Sequence, residues 1–190
     1  LLGALVYTIS MAGGTRAYGK WATRRIKSRK AALLSTGGLG AFIFIDDYFN
    51  CLTVGTVMKP VTDSYKISRA KLAYIIDATA APICIIAPIS SWAAAVGSNL
   101  RTTGAFSSDF AAFVSTIPYN FYALLSIAMV GLICLTNSDF GPMRTAEERA
   151  QHGDLGAVDG SSEKQVQPAE RGTVWDMLLP IGSLIVFAVL

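Results

Sequence analysis

The segment from residue 31 to residue 58 constrains the fold of this chain most, because it is apolar yet has basic residues on both sides. It contains no lysine or arginine, whereas seven of the 16 basic residues lie between 15 and 30 and four between 59 and 71. Short loops rich in Lys and Arg stay on the inner side of a membrane. The segment is therefore predicted to enter and leave from one face, as a re-entrant helical hairpin.

The remaining apolar segments predict an all-α polytopic membrane protein. The chain is 52% hydrophobic with a mean hydropathy of +0.45, too apolar for an ordinary soluble domain. A spanning helix needs about 20 apolar residues. We predict a transmembrane repeat over residues 1–136, a polar linker at 137–173 and the start of the next transmembrane segment at 174–190. The predicted parts of the repeat are a span end at 1–14, the hairpin at 31–58, a broken helix at 71–98 and a span at 118–136.

The distribution of charge predicts the topology in the cell membrane. With a hairpin at 31–58, residues 15–30, 59–71 and 137–173 are cytoplasmic, and every basic residue except Arg101 lies inside. The competing topology has one tilted span at 31–58, which inverts everything after it and places half of the basic residues outside. Each arm of the hairpin has about 14 residues, or about 20 Å of helix, which reaches the middle of the bilayer. Its turn is predicted near residues 45–48.

Two adjacent acids lie at this predicted turn. Asp46 and Asp47 have no basic neighbour within the segment, and an aspartate at mid-bilayer depth costs about 2.5–3.5 kcal/mol on insertion scales. On a continuous helix, Asn50 and Thr53 would share a face with Asp46. These four residues are predicted to bind an ion. Hydrogen bonds to neighbouring helices are the alternative for Asn50 and Thr53, and an ion pair with another part of the protein is the alternative for the acids.

The segment 71–98 is predicted to be an interrupted helix, because it contains Pro82 and Pro88. A proline cannot donate to the carbonyl four residues earlier, so two carbonyl oxygens near mid-membrane are freed. Unwound carbonyls at that depth coordinate cations in many secondary transporters. A simple kink is the alternative. The residues of this segment predicted to bind an ion, through side chains or freed carbonyls, are Asp77, Ala78, Thr79, Cys84, Ser90 and Ser91.

Asp77 has a second interpretation. It lies about 9 Å along the helix from Lys71, so a surface-directed ion pair with Lys71 or Arg69 would also explain an acid at this position.

The chemistry of these groups predicts exchange of a cation for a proton. Burial and a negative neighbour favour the protonated form of a carboxylic acid, whereas a bound cation favours the ionised form. Carboxylate, carbonyl, amide and hydroxyl oxygens suit a hard cation such as sodium, and the sequence has no spacing typical of a transition-metal site. Sodium and proton are therefore expected to compete for buried aspartates. No cofactor is predicted.

Two stretches resemble the NhaC-type sodium/proton antiporters of the ion-transporter superfamily. They are GALVYTISMAGGTRAYGKWA at residues 3–22 and the block from FIFIDDYFN to SSWAAAVGS at residues 42–98. The resemblance implies sodium efflux driven by the proton gradient, in a protein built from two inverted repeats, each with a re-entrant hairpin and an interrupted helix. It also implies that this chain is a fragment covering about one repeat, which would need the second repeat to complete the site.

The same residues bear on other functions and on the expected partners. Relatives that exchange organic acids, such as malate for lactate, leave the transported species open. A membrane-embedded aspartyl enzyme also needs two buried acids, but its GxGD signature is absent, and an enzyme is not expected. The expected partners are sodium, protons, the lipid bilayer and the second repeat, without nucleic acid; a homodimer stays open.

Overall fold

A computed structural model describes residues 2–156 and 172–189, and the regular structure of these residues is entirely helical. The α-helices are α1 Leu2–Met11, α2 Gly14–Arg25, α3 Arg29–Phe42, α4 Asp47–Ser64, α5 Arg69–Cys84, α6 Ser91–Arg101, α7 Asp109–Thr116, α8 Phe121–Thr136, α9 Pro142–Gln151 and α10 Trp175–Val189, and a 3₁₀ turn at Ile117–Tyr119 links α7 to α8. The all-α prediction is confirmed for these residues.

Three helices that contact one another, α3, α4 and α5, form the centre of the molecule. Helix α8 packs on α3 and α5, α2 packs on α4, α6 packs on α7, and α9 packs on α5. Burial of a large apolar side chain stabilises a fold by about 1.5–3 kcal/mol. The largest fully buried apolar side chains of α3, α4, α5 and the α3–α4 break include Leu33, Ile43, Phe49, Val57, Met58 and Ile75. The core therefore fixes how these three helices meet.

The length and apolar composition of the helices bear on membrane crossing. Among the described residues, none of the helices is by itself long and apolar enough to cross a bilayer. The segments Asp109–Tyr119 and Phe121–Thr136 meet the length and composition requirement only when taken together, with a bend of 57° between them.

Two breaks interrupt the central helices, one next to the predicted turn and one at Pro88. The first break, residues 43–46, separates α3 from α4, next to the turn predicted at 45–48. It ends at Asp46, whose Oδ1 accepts a hydrogen bond from the Phe49 N–H at 2.8 Å and caps α4. The second break, residues 85–90, contains Pro88 and ends at Ser90, whose Oγ accepts from the Ala93 N–H at 3.0 Å. Pro82 lies inside α5 instead of ending it.

Two predicted cytoplasmic loops are more helical than the sequence analysis expected. Residues 15–30 are mostly α2, which begins after Gly13, whose φ of 82° lets the chain change direction. Residues 59–71 contain the last turns of α4, which passes through Pro60 and ends at Ser64. The physical reason is packing between these elements. A Cβ atom on Gly19 would lie 2.9 Å from Pro60 Cγ, so the two helices are in close contact there.

The predicted linker at 137–173 also begins with ordered structure. It contains α9, which starts with Pro142, a residue suited to the first position of a helix. Residues 157–171 of the linker lie outside the described residues. The predicted segment 174–190 corresponds to α10.

Candidate ion-binding site

The two helix breaks are hydrogen-bonded to each other. The Ser91 N–H, in the first turn of α6, donates to the Ile45 carbonyl of the first break at 2.9 Å. Ser90 Oγ donates to the Cys84 carbonyl at 2.6 Å, so the oxygen that Pro88 leaves without a backbone donor is bonded by a side chain. Cys84, Ser90 and Ser91 therefore lie together at the second break, where they also fix its position against the first.

Asn50 holds the end of α3 against α4. Its side chain is fully buried, and its Nδ2 donates to the Gly40 carbonyl at 2.6 Å and to the Ile43 carbonyl at 2.7 Å. Both amide hydrogens therefore bond backbone carbonyl oxygens that have no helical N–H donor, because α3 ends at this break. Within the described residues, Asn50 Oδ1 has no hydrogen-bond partner.

Gly40 brings α3 close to α5 at Thr79. A Cβ atom on Gly40 would lie 2.6 Å from Thr79 Oγ1 and 3.8 Å from Asn50 Oδ1, so both oxygens face the same small space. Thr79 Oγ1 donates its one hydrogen to the carbonyl of Ile75 at 2.7 Å. Its lone pairs therefore remain able to contact a cation.

Thr53 adds a third oxygen from the same face of α4 as Asn50, one turn further along. The side chain is 3% exposed, and Oγ1 finds no hydrogen-bond partner in the part of the chain that the structure describes. Buried polar atoms are normally hydrogen-bonded, and an unpaired one costs about 1–3 kcal/mol. We call the side-chain oxygens of Asn50, Thr53 and Thr79 the junction oxygens. They are the groups here that a dehydrated cation could stabilise.

The three predicted acids are less buried than expected from the sequence. Asp46 and Asp47 are half-buried, because they lie at the break and in the first turn of α4, where the chain is not enclosed by helices on all sides. Asp77 is exposed on α5. Acids at a helix N-terminus are also favoured by the helix dipole, which accounts for part of the stability of Asp46 and Asp47 there.

Lys71 and Arg69, the alternative partners considered for Asp77, pair with other acids in the structure. The Lys71 Nζ atom lies 2.7 Å from Asp139 Oδ1, and Arg69 pairs with Asp63 at 2.9 Å. Both cations are attracted to acids that approach from neighbouring segments instead of to the acid on their own helix.

Ala78 lies next to Thr79 on α5 and is buried. Because Pro82 has no N–H, the Ala78 carbonyl lacks its usual helical donor. The described residues contain no group of three or more His, Cys, Asp or Glu side chains able to hold a metal ion. The oxygens near the junction are of the type that hard cations prefer.

A group of charged residues, two of them buried, meets at the first turns of α3 and α5 and was not predicted from the sequence. The signal was weak, because each member belongs to a different segment. The group consists of Arg29, Lys71, Asp139 and Glu147.

Comparison with known proteins identifies the family. The model of the Na+/H+ antiporter family matches residues 93–190, just over half of the chain. The chain belongs to the Na+/H+ antiporter family. The predicted relation to sodium/proton antiporters is therefore confirmed at the level of the family. The match covers α6 to α10, whereas the junction oxygens lie on α4 and α5, outside it.

A relative of this antiporter-family chain aligns with all of it. An uncharacterized protein of Haemophilus influenzae is 39% identical over 194 aligned positions, which cover 100% of this chain and 36% of that protein. The chain thus spans about a third of the length of the relative. No solved structure matches this chain significantly.

Proposed function

We propose that the chain is part of an NhaC-type antiporter in which sodium and protons compete near the junction oxygens. The observation that carries the proposal is the pair of buried oxygens, Asn50 Oδ1 and Thr53 Oγ1, that find no partner among residues 2–156 and 172–189. A bound sodium ion would satisfy them. Membership in the Na+/H+ antiporter family supports a cation/proton antiporter as the general activity.

In this proposal the nearby acids supply the negative charge and the proton site. Asp46 and Asp47 lie side by side at the first break and in the first turn of α4, and in this proposal a sodium ion replaces a proton at one of them. Asp46 caps α4, and Asn50 is one turn further along the same helix. The proton-bound form and the sodium-bound form of this region would then be alternative states.

The contacts between segments support a topology with the start of α3 and the start of α5 on one side. Glu147 of α9 contacts both Arg29 and Lys71, the latter at 3.8 Å. A hairpin that enters and leaves from one membrane face would place these segments together, whereas a single span would separate them. We propose that this side is cytoplasmic. A second repeat, outside this chain, would complete the transport unit.

The experiment that tests the proposal measures proton movement in everted vesicles containing the intact protein. Sodium, lithium, potassium and malate are added in turn to vesicles with an established pH gradient. We expect sodium to dissipate the gradient, and Asp46→Asn and Asp47→Asn variants to lose most of that response. Asp109→Asn is the matched control, because Asp109 forms an exposed pair with Arg101 on other helices.

Two results would contradict the proposal. A response to malate without a response to sodium would favour the organic-acid exchanger. A sodium response that survives in both aspartate variants, at wild-type protein levels, would place the exchange site elsewhere.

A further inference from the structure

Glu147 joins the first turns of α3 and α5. The residue lies on α9 and is only 3% exposed. One carboxylate oxygen, Oε1, accepts a hydrogen bond from the Ser68 N–H at 2.7 Å, and Ser68 is the residue that caps α5. The other oxygen pairs with Arg29, the first residue of α3, and lies 3.8 Å from Lys71 Nζ. A single side chain therefore holds both helices.

The charges of this group balance. Arg29 and Lys71 supply two positive charges, and Asp139 and Glu147 supply two negative charges. The Lys71 side chain is fully buried, so its charge depends on these partners. Neutralising Glu147 leaves two cations facing one acid, and we expect the first turns of α3 and α5 to move apart.

The same two helices approach each other again near the junction oxygens, which lie on α4 and α5. Gly40 lies 11 residues after Arg29, about 16 Å along α3, and Thr79 lies eight residues after Lys71, about 12 Å along α5. The close approach of Gly40 to Thr79 leaves no room for a Cβ atom. A small change in the spacing of the first turns is therefore transmitted through α5 to Thr79, and through α3 to Asn50, whose amide donates to the Gly40 carbonyl.

We propose that Glu147 is a positioning residue for the ion site: by clamping α3 to α5, it sets the separation of the junction oxygens. The inference rests on the proposed function, because it takes those oxygens as cation ligands. Glu147 itself contacts the first turns of α3 and α5, about 12 Å along α5 from Thr79, so it does not contact the ion.

The adjacent residue on α9 offers a matched control. Glu148 is exposed and pairs with Arg144, four residues earlier on the same helix, at 3.0 Å. Replacing it removes one negative charge from α9 without touching α3 or α5. Glu147→Gln keeps an oxygen that can accept from Ser68 and is close in size to the native residue, so the variant is expected to fold.

The first measurement is the sodium dependence of exchange by the intact protein in vesicles. We expect Glu147→Gln to raise the apparent KM for sodium at least fivefold while the maximal rate stays within twofold of wild type. Arg29→Gln should do the same, because it removes the α3 side of the contact. Glu148→Gln should leave both quantities within twofold. A purely structural role would lower the maximal rate with the protein level and leave KM unchanged, which would overturn the inference.

The second measurement does not depend on transport. Spin labels at Lys30→Cys and Ala73→Cys, both exposed positions on α3 and α5, report the distance between the helices in a protein without its native cysteines. We expect a longer or broader distance distribution in Glu147→Gln and an unchanged one in Glu148→Gln. Identical distributions would overturn the inference. Absence of sodium-dependent exchange in the wild type would instead refute the proposed function, and the distances would then decide the role of Glu147.

Discussion

Replacement of Thr53 by valine tests whether its hydroxyl binds an ion or its side chain only packs against its neighbours. The two side chains have nearly the same shape, so the change removes the hydroxyl and little else. Thr53 Oγ1 is buried without a hydrogen-bond partner in the described part of the chain. An unpaired buried hydroxyl costs about 1–3 kcal/mol, so the valine variant should be more stable than wild type without sodium, by about 1 kcal/mol.

The same substitution should weaken sodium binding. A contact between a neutral polar group and a charge is worth about 1.5–3 kcal/mol, and each 1.4 kcal/mol is a factor of ten in affinity. We therefore expect the apparent KM for sodium to rise by about 10- to 100-fold. Higher stability without sodium, together with weaker sodium binding, would identify Thr53 Oγ1 as a ligand of the ion.

The assay for Thr53→Val combines a sodium titration in vesicles with thermal unfolding of the purified protein in sodium-free buffer. Thr56→Val is the control, because Thr56 lies on the same helix and donates to the Leu52 carbonyl at 2.7 Å. The control should leave the KM within twofold. If Thr53→Val raises stability and leaves the KM unchanged, the hydroxyl is not a ligand and the reasoning is refuted.

Two further substitutions test the construction of the junction. Gly40→Ala places a Cβ atom 2.6 Å from Thr79 Oγ1, so it should destabilise the protein by about 1–3 kcal/mol and abolish exchange. Its control is Gly38→Ala, because no atom of the described residues lies within 4 Å of a Cβ atom there. That variant should be neutral or slightly stabilising. Asn50→Ala removes the amide that bonds the Gly40 and Ile43 carbonyls, so it should lower the free energy of unfolding by about 2–4 kcal/mol. Its control is Asn99→Ala at an exposed position, which should change that free energy by less than about 0.5 kcal/mol. Equal effects in the members of either pair would contradict the packing described here.

The two helix breaks could be predicted in part from the sequence. The first follows from the basic residues on both sides of residues 31–58, and the second from Pro88, which cannot donate a backbone hydrogen bond. The polar face formed by Asn50 and Thr53 could also be predicted, because it depends only on helical spacing. Whether this face binds sodium stays a prediction.

Contacts between distant segments could not be predicted in this way. Lys71 was considered as a partner for Asp77 because the two are close in sequence, yet it pairs with Asp139, which reaches it after the whole of α8. Glu147 gave no local sign of a role at the start of α3. The helical state of residues 14–25 was also missed, because their basic residues indicated a loop at the membrane surface, whereas packing of Gly19 on Pro60 stabilises a helix there.

Proton release on sodium binding tests the central claim most directly. Sodium is added to the purified intact protein in weakly buffered solution, and the pH is followed with an indicator dye. If sodium and a proton compete near Asp46 and Asp47, sodium should release protons from wild type, and the Asp46→Asn, Asp47→Asn double variant should release none. Equal proton release from both proteins, or none from a wild type that binds sodium, would contradict the account.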